Sequence, residues 1–235
     1  MSPKELFQAG KLAEAIQALA QEVRNSPTDA RRRTFLFELL CFAGEWDRAE
    51  KHLDVLAQAG KDAELGALMY RAALHGERTR AELFEKAQYP LEAAPAVTGT
   101  LNGSAFESIE DSDPRIGARL EIFAAGRYLW LPFAHIASIE MQAPKRLRDL
   151  LWAPAIVRTG PSFKGRELGE VLVPVLAPLT FRNADDAVRL GRTTVWEDGI
   201  PCGQKMFDVD GEEFPILEIR NLEFAAPAES HAAAE

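Results

Sequence analysis

The sequence predicts an α+β fold. Helical repeats over residues 1–93 precede a mainly antiparallel, partly open barrel-like β domain over residues 94–224, and a disordered tail follows over 225–235. Three observations predict this. Apolar residues recur at helical spacing, in a long repeat, as far as residue 90. Pro90, Pro95, Asn102 and Gly103 then interrupt that spacing, and beyond them the apolar period alternates. Glycine- and aspartate-bearing turns separate the alternating runs closely enough to favour local antiparallel connections.

The first helix is expected at Ser2-Pro3-Lys4-Glu5, which has the form of a capping box with proline at the first helical position. Gly10 and Gly44 lie 34 residues apart, and so do Ala15 and Ala49, and Leu19 and Leu53. That is the tetratricopeptide period, in which a glycine turns the chain between paired helices and a small alanine lets them approach. Asp29 or Thr28 is placed to cap the helix that starts near Ala30. Arg31-Arg32-Arg33 occupies its first turn, where the helix dipole disfavours cations, and reads as a solvated face or as a contact for an acidic partner. A third unit is degraded: Leu65, Leu68, Met69 and Ala72 share one helical face, and Gly76 follows Gly44 by 32 residues. Three units are near the minimum for a stable stack, so the second domain is expected to cap the open end.

In the second domain Arg119 to Phe123 alternates, Gly126 allows a turn, and Tyr128 to Leu131 returns with an aromatic face. Further strands are expected at 137–142, 155–158, 170–175, 193–196, 205–209 and 213–219, with one short helix at 185–190. Asp210-Gly211 is the strongest hairpin signal, because a type I′ turn needs positive φ at both central residues. The tail from Ala225 has too few large apolar side chains to pack.

Composition narrows the function. The chain has 235 residues, 47% of them hydrophobic and 27% charged, as in ordinary globular proteins. A net charge of -9 argues against nucleic acid or an anionic membrane as partner, since both demand a concentrated positive field. The longest apolar run, Val171 to Leu179, is broken by Pro174 and Pro178 and cannot span a bilayer. No signal-peptide core is present, and with two distant cysteines, Cys41 and Cys202, a reducing cytoplasmic location is expected. Cys41 reads as a buried inert thiol.

No catalytic, metal or cofactor signature emerges. The four histidines, His52, His75, His135 and His231, are isolated, and no cysteines stand at metal-ligand spacing. Gly160 to Glu167 imitates the first six positions of a P-loop but offers Arg166-Glu167 where Lys-Ser/Thr must hold phosphate and magnesium. Asp111-x-Asp113 begins like a calcium loop, yet Arg115 and Ile122 occupy positions that require oxygen ligands.

What remains is a set of motifs at turns. Asp111-Ser112-Asp113-Pro114-Arg115 precedes Gly126-Arg127-Tyr128-Leu129-Trp130-Leu131-Pro132-Phe133. Then come Leu147-Arg148-Asp149-Leu150-Leu151-Trp152, Leu190-Gly191-Arg192-Thr193-Thr194-Val195-Trp196-Glu197 and Gly203-Gln204-Lys205. In this order, over residues 4–224, they resemble the ImpE/TagJ (SciE-type) accessory proteins of the bacterial type VI secretion system. The chain departs from that pattern at Leu179-Thr180-Phe181-Arg182-Asn183, where a serine-rich acidic run is expected.

The resemblance implies a non-enzymatic cytoplasmic adaptor. Its partner would be the small contractile-sheath subunit, bound through that subunit's N-terminal helix, and its role the assembly or recycling of the sheath. Asp113, Arg115, Trp130, Arg146, Asp149 and Trp152 are the candidate partner-binding residues, since tryptophan and arginine are favoured anchors. The same residues also read as an internal network in which Asp113 pairs with Arg115 or Arg146 and the tryptophans fill the ends of the barrel. The resemblance does not decide between these readings. A small-molecule or enzymatic role of the β domain, with Asp111, Asp113 and Arg115 at its mouth, is the alternative.

Overall fold

The computed structural model describes residues 1–90, 92–163, 165 and 168–225. Of the tail predicted over 225–235 all but Ala225, and of the P-loop-like stretch Lys164, Arg166 and Glu167, lie outside the described residues.

Five helices come first: α1 (Pro3–Gln8), α2 (Leu12–Asn25), α3 (Ala30–Phe42), α4 (Trp46–Ala57) and α5 (Lys61–Glu85). Ser2 and Glu5 form the expected capping box on α1, and the Asp29 carboxylate caps α3 by accepting from the Arg32 N–H at 3.0 Å. Gly10 and Gly44 turn the chain inside each helix pair with φ of +78° and +70°. Ala15 and Ala49 are fully buried, as the repeat requires of its small residues. The third unit differs from the expected turn. α5 runs straight through Gly76 for 25 residues, and this glycine permits close packing instead: a Cβ there would sit 2.5 Å from the Phe123 ring. Leu65 and Leu68 stand 69% and 61% exposed, because the sheet covers only the later turns of α5.

The strands are β1 (Gly99–Leu101), β2 (Ser104–Phe106), β3 (Ile109–Asp111), β4 (Arg119–Ala124), β5 (Arg127–Pro132), β6 (Ile136–Met141), β7 (Trp152–Thr159) and β8 (Gly169–Pro174). A short helix α6 (Asp186–Arg189) precedes β9 (Val195–Glu197), β10 (Ile200–Cys202), β11 (Met206–Val209), β12 (Glu212–Pro215) and β13 (Asn221–Phe224). An eight-stranded antiparallel sheet has the order β2-β1-β13-β6-β7-β8-β4-β5, beside a β12-β11-β3 sheet and a β10-β9 hairpin. The large sheet stays open, with edges at β2 and β5. Closure is unnecessary at β5, whose edge strand is packed against α5.

Asn102-Gly103, Ala125-Gly126, Asp198-Gly199 and Asp210-Gly211 all have positive φ at both positions, the geometry of two-residue hairpin turns matched to strand twist. Asn102-Gly103, which interrupts the helical pattern in sequence, is thus the turn of the β1–β2 hairpin.

Alternation in the central strands separates two cores. Glu121 and Phe123 of β4, Leu172 of β8 and Trp152 of β7 face the helices, and Phe123, Leu172 and Trp152 share one apolar cluster with them. Leu120, Ile122, Ala153, Ala155, Val171 and Val173 face the opposite side, with Phe133, Phe207 and Leu222. Helices and sheet therefore bury one continuous cluster between them, while residues 93–98 cross from one to the other without regular structure.

Candidate functional site

The join between α5 and the sheet is polar at its centre. Arg80, buried on α5, donates from Nε and Nη2 to the two carboxylate oxygens of Glu121, both at 2.8 Å, and from Nη2 to the Leu176 carbonyl oxygen at 2.9 Å. Lys205 sits 2.6 Å from the second Glu121 oxygen and donates also to Asp111, while the Tyr128 hydroxyl donates to Glu121. Asp111 in turn accepts from the Asp113 N–H at 2.9 Å, and Asp113 holds Arg115 through its backbone N–H, Nε and Nη2 at 2.6–3.0 Å. Arg115 lies over the Phe84 ring at 4.8 Å. Arg119 spans the crossing, donating to the Ile116 carbonyl at 2.9 Å and to that of Glu92.

Burial opposes the charge on Glu121, but Arg80 and Lys205 more than offset it and hold that carboxyl well below its usual range. Burial pushes Asp111 the other way, upward, against the pull of Lys205. Lys205 is raised despite burial by its two carboxylates. Burial also raises Glu77, which accepts from the Trp152 indole N–H at 2.9 Å. Two cations meet two carboxylates and a third acid tuned toward its neutral form. Such a cluster is stable only while each charge keeps its partner.

The other motifs also bind the two halves together. The turn Leu147–Leu150 and Trp152 lie on the face of α3 and α5: Arg148 is 3.5 Å from Glu38 and stands over the Tyr70 ring at 4.9 Å, while Trp152 packs on Phe37 and Tyr70. Burial pushes the Glu38 carboxyl up to about 7, against the pull of Arg148. Arg192 donates to the Phe7 and Gln8 carbonyl oxygens at 2.5 and 2.8 Å, capping the C-terminus of α1. Asp186 accepts from the Ala13 N–H at 3.0 Å and supplies the side-chain cap that Lys11, at the start of α2, does not. Phe181, in the segment that departs from the family pattern, packs on Trp46 at 4.9 Å and closely covers Gly44.

The six candidate binding residues fall into two groups along α5. Asp113, Arg115 and Trp130 gather around Phe84, which Trp130 meets at 6.2 Å. Arg146, Asp149 and Trp152 belong to the turn near Tyr70, where Asp149 accepts from the Lys145 and Arg146 N–H groups. Phe84 and Tyr70 are about 21 Å apart along the helix at 1.5 Å per residue. Of the six, Asp113 and Trp152 are buried and Arg146 is exposed. Sequence reading passed over Arg80 and Glu121. The available signal was a charge in an apolar register: Arg80 lies between Gly76 and Phe84 at four-residue spacing, and Glu121 shares a strand face with Phe123.

Among the described residues no group of three His, Cys, Asp or Glu side chains is placed to hold a metal ion. His135 Nδ1 and Ser162 Oγ are 2.9 Å apart beside a hollow of about 420 Å³. With its hydroxyl proton directed at the Ala134 carbonyl oxygen, also at 2.9 Å, Ser162 accepts from the ring instead of being activated by it.

A groove runs along the outer side of the repeat. One hollow of about 500 Å³ includes Ile16, Gln17, Ala20, Arg24, Arg48 and Arg189, and a second of about 350 Å³ continues past Ala20, Arg24 and Arg48 to Val23, Arg33 and His52.

Comparison with known proteins bears on both regions. Residues 103–223 match the family model described as ImpE protein, and residues 6–72 match a tetratricopeptide repeat model. The chain is 33% identical to the type VI secretion system accessory component TagJ of Pseudomonas aeruginosa, over 95% of this chain and 91% of that one. Its fold is similar to the crystal structure of protein VPA1032 from Vibrio parahaemolyticus, with a TM-score of 0.84 at 22% identity, covering 96% of this chain and 98% of the other.

Proposed function

The chain belongs to the ImpE family, and from that premise we propose that it is a non-enzymatic accessory protein of a type VI secretion system. In this reading it binds the small contractile-sheath subunit through that subunit's N-terminal helix and modulates sheath assembly or recycling. The observation that carries the reading is the likeness to TagJ along nearly the whole length of both chains, so that the repeat and the sheet are shared together. The architecture supports it: a repeat scaffold stiffened by a sheet presents a groove to which an amphipathic helix can add its apolar face. The motif residues Asp113, Arg115, Trp130, Asp149 and Trp152 serve binding by holding the scaffold in shape, and exposed Arg146 is available for direct contact.

Co-purification with the sheath components of the same organism tests this, using the small subunit with and without its first helix. Retention of the intact subunit and loss of the truncated one is expected. Failure of both forms to bind removes the sheath subunit as the partner.

A further inference from the structure

We infer that the groove between α2 and α4 is the docking surface, and that its occupant is an acidic amphipathic helix of a partner polypeptide. This rests on the helix-binding reading above and adds to it a location and a charge.

The two hollows share Ala20, Arg24 and Arg48 and so form one continuous trough. Its floor is apolar, built by Ile16, Ala20, Val23 and Leu36. Ala20 is the small residue at its middle, which leaves depth for an incoming side chain. The walls are cationic. Arg24 and Arg48 are exposed, Arg33 and Arg189 are half-buried, and His52 lies at the far end. Glu45 is the carboxylate among the lining residues, paired with Arg48.

Of the remaining wall cations, Arg189 is paired with Asp186 at 3.0 Å, whereas Arg24 and Arg33 are held by neutral groups: Arg24 donates to the Gln21 side-chain oxygen at 2.7 Å, and Arg33 to the Pro27 carbonyl at 2.5 Å. Arg33 lies 3.2 Å from the His52 ring; burial, then Arg33 itself, lowers the pKa of that ring, so the nearby cations already disfavour a further positive charge. Four arginines around one apolar trough stand out in a chain of net charge -9. A helix of about 12 residues spans about 18 Å, and anchors at i, i+3/i+4 and i+7 would fill the floor while flanking carboxylates meet the walls. Charge on the rim speeds encounter and excludes basic partners.

The test uses the full-length chain and two variants. Arg24→Ser/Arg48→Ser removes wall charge, and Ala20→Phe fills the floor with charge unchanged; circular dichroism melts confirm that each is folded. Binding of the purified small sheath subunit is measured by titration calorimetry at low and high salt. At least tenfold weaker binding by both variants, with wild-type affinity falling as salt rises, supports the inference. Equal binding by wild type and both variants overturns it and leaves the sheath reading standing.

Should the wild type not bind the sheath subunit, a synthetic amphipathic peptide with leucines on one face and glutamates beside them, and its lysine counterpart, are the probes. Selective binding of the acidic peptide, lost in both variants, retains the inference while the sheath reading falls. Binding of neither peptide, or of both alike, overturns it. A wild-type dimer in light scattering that the groove variants convert to monomer assigns the groove to a second copy and overturns it too.

Discussion

The same helical repeat presents two surfaces that differ in what occupies them. The face of α3 and α5 is filled by the chain itself: Trp152 lies on Phe37 and Tyr70, Arg148 meets Glu38, and Arg80 reaches through to Glu121. The groove of α2 and α4 is lined by arginines over an apolar floor, and the sheet-side chain reaches it at one end, through Arg189 of α6. Every motif that carries the family resemblance in sequence contributes to the join between helices and sheet, and the groove residues belong to none of them. Motif residues here report how the two halves are held together, and a partner surface can lie where no motif draws attention.

The largest effect is expected from breaking the join. Lys205→Met leaves Asp111 and Glu121 buried with one cation fewer, a loss of about 3–5 kcal/mol read as a lower urea midpoint. An unchanged midpoint would show that the cluster holds nothing. Overpacking the repeat comes next: Ala49→Leu, or Ala15→Leu, is expected to cost about 1–3 kcal/mol, because both positions are fully buried at helix contacts. Wild-type melting of both variants would reduce the 34-residue period to coincidence.

Glu38 gives the filled face a pH signature of its own. Its folded carboxyl titrates near 7 and its unfolded one near 4.5, so the folded protein binds more protons between those values. The stability this group contributes is fully present below about 4.5 and is lost as pH rises through about 7. Glu38→Gln is expected to flatten that slope, a difference of roughly 3 kcal/mol across the window. A slope identical in the two proteins would assign the pH dependence elsewhere. Smallest of all is Arg146→Ala, with a stability change within about 0.5 kcal/mol, since the side chain is exposed. If its loss weakens binding of the small sheath subunit as much as the loss of Arg24 and Arg48, the partner reaches beyond the groove.

Local chemistry made most of the elements readable. The capping box at Ser2, the glycines at 34-residue spacing and the alternation of Arg119 to Phe123 each act within a few residues, so each survives in the linear pattern. The short strands β1, β2, β3, β10 and β13 escaped, because three or four residues carry too little alternation to stand out. The Asn102-Gly103 turn was legible only as an interruption, although its chemistry equals that of Asp210-Gly211. Asp113 and Arg115, two residues apart, were readable as a pair. Arg80 and Glu121, separated by 41 residues, were not.

By itself, then, the amino-acid order determined the helical repeat, the change to alternating strands, and the family to which the chain belongs. Periodicity, turn chemistry and motif order are local, and they do not depend on which surfaces later meet. Tertiary structure alone decided that Gly76 is a contact and not a turn, that Asp186 and Arg192 cap helices more than 170 residues away in sequence, and that the motif turn fills one face of the repeat. Those outcomes depend on how the sheet docks against α5. Once that docking has covered α3 and α5, the groove of α2 and α4 remains as the repeat's basic, apolar-floored surface.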